Sequence, residues 1–317
     1  MREEKWINFL KWGGGTPNKN LELSIIIPVY NVEKYLEECL NSVLEIKDIN
    51  YEVLIINDGS LDNSQKIIDE YCKKDDRIKS FVKENGGASS ARNYGLKKAQ
   101  GDYIWFVDGD DLVVSSEFEK FFRRAESSDL DVALANYNSF YNKSEIKITK
   151  IEKFKELNKL SVLTGKEYFD ISDNKNLFDI LIWKNIYKRK FLLEEKIFFE
   201  EGIIFEDELF SRITINRAKE VKYFDYYIYF YRQNVEGSVM QNSGAKLINY
   251  YKVSKLLTEE ILNDKLVPDS LKKVPIALYV KTLKKIKVRD RELEKEIFKI
   301  EGLFFYKLRK KIQILFV

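Results

Sequence analysis

Residues 25–44 read IIIPVYNVEKYLEECLNSVL, and the hydrophobic period changes within that stretch. Leu23 to Pro28 (LSIIIP) is a continuous β-branched, apolar run, the pattern of a strand covered on both faces. From Val32 to Leu44 the apolar residues fall at Tyr35, Leu36, Cys39, Leu40, Val43 and Leu44, the i, i+3, i+4 stripe of a helix. A buried strand feeding such a helix opens a βαβ unit. The alternation continues outward. Tyr51 to Asn57 (YEVLIIN) predicts a second strand, and Asp62-Asn63-Ser64 offers N-caps for a helix running to about Lys74. Ile78 to Lys83 and Ser89 to Ala99 give the next strand and helix. Tyr103 to Val107 (YIWFV) is a fourth buried strand, Ser115 and Ser116 cap a helix through Arg124, and Asp131 to Tyr137 is a fifth strand. After about residue 140 the rhythm breaks. Lys-rich polar sequence leads to a Thr164-capped helix, a patch around Trp183, a helix from about Glu206 to Arg217 and a Tyr/Phe-dense strand from Val221 to Arg232. The expected architecture is α/β with a mostly parallel, doubly wound sheet, followed from Ala245 by basic helical sequence interrupted at Pro268 and Pro275.

The 317 residues include 54 Lys+Arg, 51 Asp+Glu, two cysteines and no histidine. That length allows one large domain or two smaller ones. A hydrophobic fraction of 44% with 14% aromatics supports a real core and excludes wholesale disorder. The missing histidine removes Ser-His-Asp and Cys-His nucleophiles, HExxH zinc sites and haem ligation by His. A general base must then be a carboxylate or, failing that, Tyr, Lys or Cys. Cys39 and Cys72 form no CxxC and read as small apolar groups of a reducing compartment. The opening MREEKWINFLKWGGGTPNKN lacks the uninterrupted apolar region of a secretory signal, and Gly13 to Gly15 precede the first strand, so they read as linker rather than phosphate loop. No run approaches the ~18 apolar residues of a spanning helix. Residues 245–317 hold 18 Lys+Arg against 9 Asp+Glu, a basic appendage on a mildly acidic body.

The chemistry is positional. In open parallel α/β sheets, ligands bind at the carboxyl ends of the strands. Each of the first four predicted strands ends in a polar or glycine-rich cluster: Pro28-Val29-Tyr30-Asn31, Asn57-Asp58-Gly59-Ser60, Asn85-Gly86-Gly87 with Arg92 beyond, and Asp108-Gly109-Asp110-Asp111. Singly, each is also an ordinary turn or cap; together, on one sheet edge, they make a site. The acidic cluster is the sharpest, because three carboxylates after a buried strand repel one another unless a cation or solvent relieves them. Hard divalent cations take such oxygen ligands, shared with substrate phosphates.

IIIPVYNVEKYLEECLNSVL, YEVLIINDGSLDNS, ENGGASSARNYGLKKAQGDYIWFVDGDD and FEDELF resemble a family 2 glycosyltransferase with a GT-A fold, closely over Leu23 to Asp111 and more loosely to Ser238. The resemblance implies inverting transfer from a nucleotide-diphospho-sugar, by family habit a UDP-sugar, with Mn²⁺ or Mg²⁺ and a carboxylate base. It implies that Pro28, Tyr30 and Asn31 hold the nucleoside and that Asp58 accepts a hydrogen bond from the base. Arg92 would meet the donor near its base and phosphates, Asp110 would ligate metal, Asp108 would assist on ribose or metal, and Asp111 would lie near the sugar. Asn57 stands where the family's DDGS commonly has Asp. Asp207 of the Glu206-Asp207 pair would be the catalytic base; an acidic pair stabilising a helix start is the structural alternative. Arg232 and Ser238 would close on the diphosphate, with an aromatic core edge as the alternative for Arg232. Trp183 and Tyr187 fall in the acceptor half, as sugar-stacking rings or as core.

The implied organisation is an N-terminal extension (1–20), a nucleotide-sugar half (21–125), an acceptor half (126–244) and the basic helical region (245–317). The acceptor would be a growing surface glycan on a lipid or protein carrier. Lys284, Lys285, Lys287, Arg289, Lys307, Arg309, Lys310 and Lys311, beside Phe304, Phe305 and Tyr306, read either as a membrane-surface segment or as a solvated helical cap. A cytoplasmic enzyme, peripheral on the inner face of the membrane, is the expectation. Nucleic acid is excluded as a partner, since the charge is confined to one end and no recognition motif is present. Two rivals stand beside the transferase. One is a sugar-nucleotide-binding protein without turnover. The other is a nucleotidyltransferase, which would want a Gly-rich basic loop where this chain has PVYNVEKY.

Overall fold

The computed structural model describes residues 21–141, 154–174, 177–233, 235, 252–253 and 256–257. The expectations for residues 1–20, for Ser238 and for the basic stretches beyond residue 257 lie outside the described residues. The chain divides into two units, Met1–Ser238 and Val239–Val317, and the strands and their helices belong to the first. Among the described residues no helix is long and apolar enough to cross a membrane.

The β-branched run becomes β1 (Leu23–Val29), followed by α1 (Leu36–Leu44), β2 (Tyr51–Asn57), α2 (Ser64–Lys74), β3 (Ile78–Val82), α3 (Gly87–Lys98) and β4 (Tyr103–Phe106). Then come β5 (Leu112–Val113), α4 (Ser115–Ser127), β6 (Val132–Phe140), α5 (Lys155–Asn158), α6 (Gly165–Asn174), β7 (Asn185–Lys188), α7 (Arg189–Glu194), α8 (Glu206–Arg217) and β8 (Val221–Arg232). One eight-stranded sheet runs β3-β2-β1-β4-β7-β6-β8-β5. The first four strands are parallel, with Leu23 opposite both Tyr51 and Tyr103. The chain moves from β1 outward to β3, then returns to place β4 on the other side of β1. The order therefore reverses between β1 and β4, and a crevice opens at their carboxyl ends.

The second half is mixed, in keeping with the break in rhythm after residue 140. β7 is antiparallel to both β4 and β6, β8 lies parallel to β6, and β5 pairs antiparallel with β8 at the far edge. β7 follows directly on the patch around Trp183 and is not legible in the sequence as a strand. Its four residues NIYK carry too little alternation, and Lys184 beside them is buried. The expected caps also need adjustment. Thr164 caps α6, as expected, and Glu167 completes a capping box with it. At α2 it is Asp62, among the three candidates, that accepts the Ser64 N–H, whereas Ser115 donates its hydroxyl to the Ser42 carbonyl instead of capping α4.

Large aromatic rings join the halves. Trp105 of β4 stacks on Phe118 of α4 at 3.8 Å, and its indole N–H donates to the Trp183 carbonyl at 2.6 Å. Trp183 stacks in turn on Tyr229 and Tyr231 of β8, at 4.4 Å and 5.3 Å. With 3% and 1% of their surface exposed, Trp183 and Tyr187 are core, not sugar platforms. The helix that matters most for the site is α3, seated on β1 by a close approach at Gly95. A β-carbon there would fall 2.4 Å from Ile26 Cγ2. Gly95→Ala should therefore cost about 1–3 kcal/mol, as overpacking does elsewhere. Urea unfolding measures the loss, and an unchanged midpoint would show that α3 has room to move.

Candidate active site

Four strand-end loops meet at the crevice. After β1, Asn31 adopts a left-handed backbone (φ 54°), its N–H donating to Ser60 Oγ at 3.1 Å and its Oδ1 accepting the Leu61 N–H at 2.7 Å. The β1 and β2 loops are thus laced together, and Tyr30 is left 47% exposed beside them. Pro28 lies under this loop as the penultimate residue of β1, its carbonyl 3.4 Å from where a Gly109 β-carbon would sit. The acidic loop therefore packs directly against the first.

After β2, Asn57 accepts the Ser60 N–H through Oδ1 and donates to Gln65 Oε1 at 2.6 Å. With Gln65 oriented toward Asp69, the second bond uses the amide NH₂ that an Asp would lack. Asp58 is 2% exposed and is the anchor of the glycine loop. Its carboxylate accepts Lys83 Nζ at 2.6 Å, the Gly86 N–H at 3.0 Å and the Gly87 N–H at 2.7 Å. Gly87, at φ 84°, starts α3 in a conformation that residues with a side chain rarely adopt. The Gly86 N–H is shared with the second carboxylate oxygen at 3.2 Å, so the three donors reach both oxygens of Asp58. Sequence reasoning misses Lys83; a lysine at the end of an edge strand carries no distinguishing signal.

At the far side of the crevice, α3 presents Arg92, 5% exposed in its side chain, to carboxylates from both halves of the chain. Nη2 lies 2.9 Å from Asp108 Oδ1, Nη1 lies 2.7 Å from Glu206 Oε1, and Asp207 Oδ1 is 3.6 Å from Nη1. Phe199 covers the guanidinium at 5.3 Å. Burial works against the charge on Arg92, but Asp108, Asp207 and Glu206 outweigh it and hold the proton more firmly than usual. The neighbouring Asn93 clamps the approach to α8, accepting the Phe199 N–H at 2.8 Å and donating to the Phe199 carbonyl at 2.9 Å. Phe205, directly before the acidic pair, holds a left-handed backbone at φ 69°, a strained entry that sets the direction of the helix start.

The acidic residues divide their tasks. Asp111 is buried, with Oδ1 accepting the Arg232 N–H at 2.7 Å and Oδ2 accepting the Tyr229 hydroxyl at 2.9 Å. Arg232 also donates through Nε to the Asp110 carbonyl at 2.7 Å and pairs with Glu38 at 2.8 Å, its guanidinium over the rings of Tyr35 and Phe140. Arg232 thus belongs to an aromatic edge, its alternative reading, and also touches the acidic loop. Asp110 makes no ion pair among the described residues, and burial, reinforced by Asp108, pushes its carboxyl up to about 6. Burial likewise pushes Asp207 well above the usual carboxylate range, against the opposing pull of Arg92, and its Oδ1 receives no hydrogen bond.

Asp110 and Asp108 suit a hard divalent cation. An unpaired carboxylate strained by a like charge is relieved by a cation, and Mg²⁺ or Mn²⁺ is commonly held by one or two carboxylates together with substrate phosphates. Among the described residues no cluster of three or more carboxylate or thiol groups forms an all-protein cage.

Residues 24–189 match the family model described as "Glycosyl transferase family 2". The "Uncharacterized glycosyltransferase EpsJ" of Bacillus subtilis is 38% identical over 215 residues, covering 67% of this chain and 61% of that protein. The chain thus spans about three fifths of the length of that relative. "Glycosyltransferase GlyG" of Streptococcus pneumoniae is 30% identical, covering 69% of this chain and 73% of that one. Among solved structures, S. aureus TarS 1-349 in complex with UDP-GlcNAc superposes with a TM-score of 0.65 at 24% identity, over 84% of this chain and 72% of that one. The fold is therefore GT-A.

Removing Arg92 would leave three carboxylates without their counter-charge. Arg92→Met should lower stability by roughly 3 kcal/mol at pH 8, the usual scale for one missing partner of a buried pair. The loss should shrink toward pH 5. Without the guanidinium the already elevated Asp207 carboxyl rises further, the folded state binds more protons than the unfolded one, and stability falls as pH rises. Thermal melts from pH 5 to 8 measure the slope; a pH-independent loss would mean that Arg92 acts by packing alone.

Proposed function

The chain belongs to glycosyl transferase family 2, and from that premise we propose that it transfers a sugar from a UDP-sugar to a hydroxyl of a glycan acceptor on a lipid or protein carrier, with inversion. One observation carries the reading. The acidic loop after β4 and the carboxylates at the start of α8 meet on a single guanidinium. That is where a donor-binding half and a proton-accepting half must meet if they are to act on one bond.

In this reading the exposed Tyr30, with Pro28 and Asn31, holds the nucleoside, and Asp58 accepts a hydrogen bond from the base. Asp110 and Asp108 hold Mn²⁺ or Mg²⁺. Such a cation, when bound, supplies neutralisation of the negative charge on the departing diphosphate. Asp111 and Arg232 fix the acidic loop, and Arg232, with Ser238, closes toward the diphosphate. Asp207 takes the proton from the acceptor hydroxyl as that oxygen bonds to the anomeric carbon and the bond from that carbon to the diphosphate oxygen breaks. A single displacement inverts the configuration. The base must stand across the reacting carbon from the leaving group, and Asp207 comes from α8, not from the strand-end loops that hold the donor. Its elevated carboxyl makes it a stronger proton acceptor once ionised. Arg92 keeps that carboxylate and Asp108 in fixed relation.

The halves 21–125 and 126–244 serve donor and acceptor. The basic sequence of residues 245–317 supports docking on an anionic leaflet, where each Lys or Arg contributes about 1 kcal/mol. The enzyme would then work in the cytoplasm at the inner face of the membrane, in polysaccharide biosynthesis.

Asp207→Asn should lower transfer by about 10²–10⁴ while UDP affinity and metal dependence survive. The wild-type rate should climb with pH as Asp207 ionises, and chelator should silence it until Mn²⁺ or Mg²⁺ is restored. A panel of nucleotide-sugars with NMR of the product tests all of this. Retained anomeric configuration, full activity in excess EDTA, or near wild-type transfer by Asp207→Asn would each contradict the mechanism, and UDP binding without turnover of any donor would point to the binding-protein rival.

A further inference from the structure

Tyr229 lies in the second half of β8 with no exposed surface. Its hydroxyl accepts the Asp108 N–H at 3.0 Å and donates to Asp111 Oδ2 at 2.9 Å. Those are the first and last residues of the acidic loop, so a single oxygen closes the loop across its ends. The Arg232 N–H and Nε take Asp111 Oδ1 and the Asp110 carbonyl from the same strand, and Cys39 Sγ donates to the Asp108 carbonyl at 3.5 Å. The ring of Tyr229 is held as firmly as its hydroxyl. Trp183 stacks on it with 17° between the planes, and Trp105 meets it edge-on at 6.4 Å.

The loop needs such a hold. Asp108, Asp110 and Asp111 carry like charges within four residues, and repulsion would splay them. Asp108 is compensated by Arg92, and Asp111 is tied by two hydrogen bonds, whereas Asp110 has no ion pair among the described residues. Where Asp110 projects is therefore decided by the backbone on either side of it.

We propose that Tyr229 is a positioning residue for divalent-cation binding, its hydroxyl fixing the Asp108–Asp111 backbone so that the Asp110 carboxylate is presented in a set orientation. Asp111 then acts as the strut of the loop. The proposal rests on the reading of Asp108 and Asp110 as the cation-holding pair. It assigns no contact between Tyr229 and cation or substrate.

Tyr229→Phe keeps the stacked ring and removes only the hydroxyl. The full chain is titrated with Mn²⁺ alone and with Mn²⁺ plus UDP, free Mn²⁺ being read by electron paramagnetic resonance. Mn²⁺ affinity should fall about 10–100-fold, the range seen when groups behind metal ligands are lost. The Mn²⁺ concentration for half-maximal donor turnover should move by the same factor, with kcat at saturating Mn²⁺ and metal-free UDP affinity little changed. A purely structural residue would lower the melting temperature and leave Mn²⁺ affinity alone; that outcome overturns the proposal. Should Tyr229→Phe fail to fold, Asp111→Asn tests the same clasp from the other side, turning an accepting oxygen into a donor that faces donors. Weakened Mn²⁺ binding supports the proposal and unchanged binding overturns it. Asp110→Asn is the control for the underlying reading. If it leaves Mn²⁺ binding intact, the cation-holding pair is wrongly assigned and the proposal fails with it. If it abolishes Mn²⁺ binding while Tyr229→Phe does not alter it, only the positioning role fails.

Discussion

One nearly buried guanidinium, that of Arg92, compensates carboxylates drawn from two distant parts of the chain. Burying an ion costs several kcal/mol unless partners replace its water, and breaking such a set leaves the remaining charges stranded. The surrounding structure follows from that constraint. Helix α3 must lie close on β1, which Gly95 permits. The segment leading into α8 must be held against α3, which Asn93 does through both backbone groups of Phe199. The carboxylates also gain from the arrangement, since without Arg92 Asp207 would sit still further above the range in which a carboxylate ionises readily.

The sheet supplies the second constraint. Because the strand order reverses between β1 and β4, the loops after them open side by side, and Gly109 places the acidic loop against the Pro28 carbonyl. β7, antiparallel between β4 and β6, then links the two halves as one continuous sheet. This brings β8 round to the acidic loop, where Tyr229 and Arg232 grip its backbone. A register shift between β6 and β8, from Leu134 to Tyr137, separates the first part of β8 from the part that faces the loop. Such irregularities recur where a strand must redirect a side chain near a site.

Legible in the sequence is whatever has a local period or a turn chemistry of its own. The run LSIIIP and the stripe from Tyr35 to Leu44 announce β1 and α1, and Thr164 announces the start of α6. The clustering of loops at one sheet edge is also legible, because strand polarity alone decides it. Hidden are the features that depend on contacts between residues far apart in the chain. β7 lacks alternation and is a strand only because β4 and β6 flank it. Trp183 and Tyr187 carry no sign of whether they face sugar or core until the rings of β8 are placed against Trp183. Arg92 reads from its motif as a donor contact, and nothing local foretells its ties to Glu206 and Asp207, more than a hundred residues on. Tyr229 is one ring in an aromatic run, distinguished only by the loop that its hydroxyl reaches.

The proposed chemistry requires a cation and a nucleotide to meet at Asp110 while Arg92 holds the opposite wall. Crystals grown with Mn²⁺ and UDP, measured near the manganese absorption edge, test this directly. One strong anomalous peak should lie within bonding distance of the Asp110 carboxylate and the UDP diphosphate, with Arg92 still paired to Glu206. A peak elsewhere, with UDP bound away from the β1 and β4 strand ends, would contradict it.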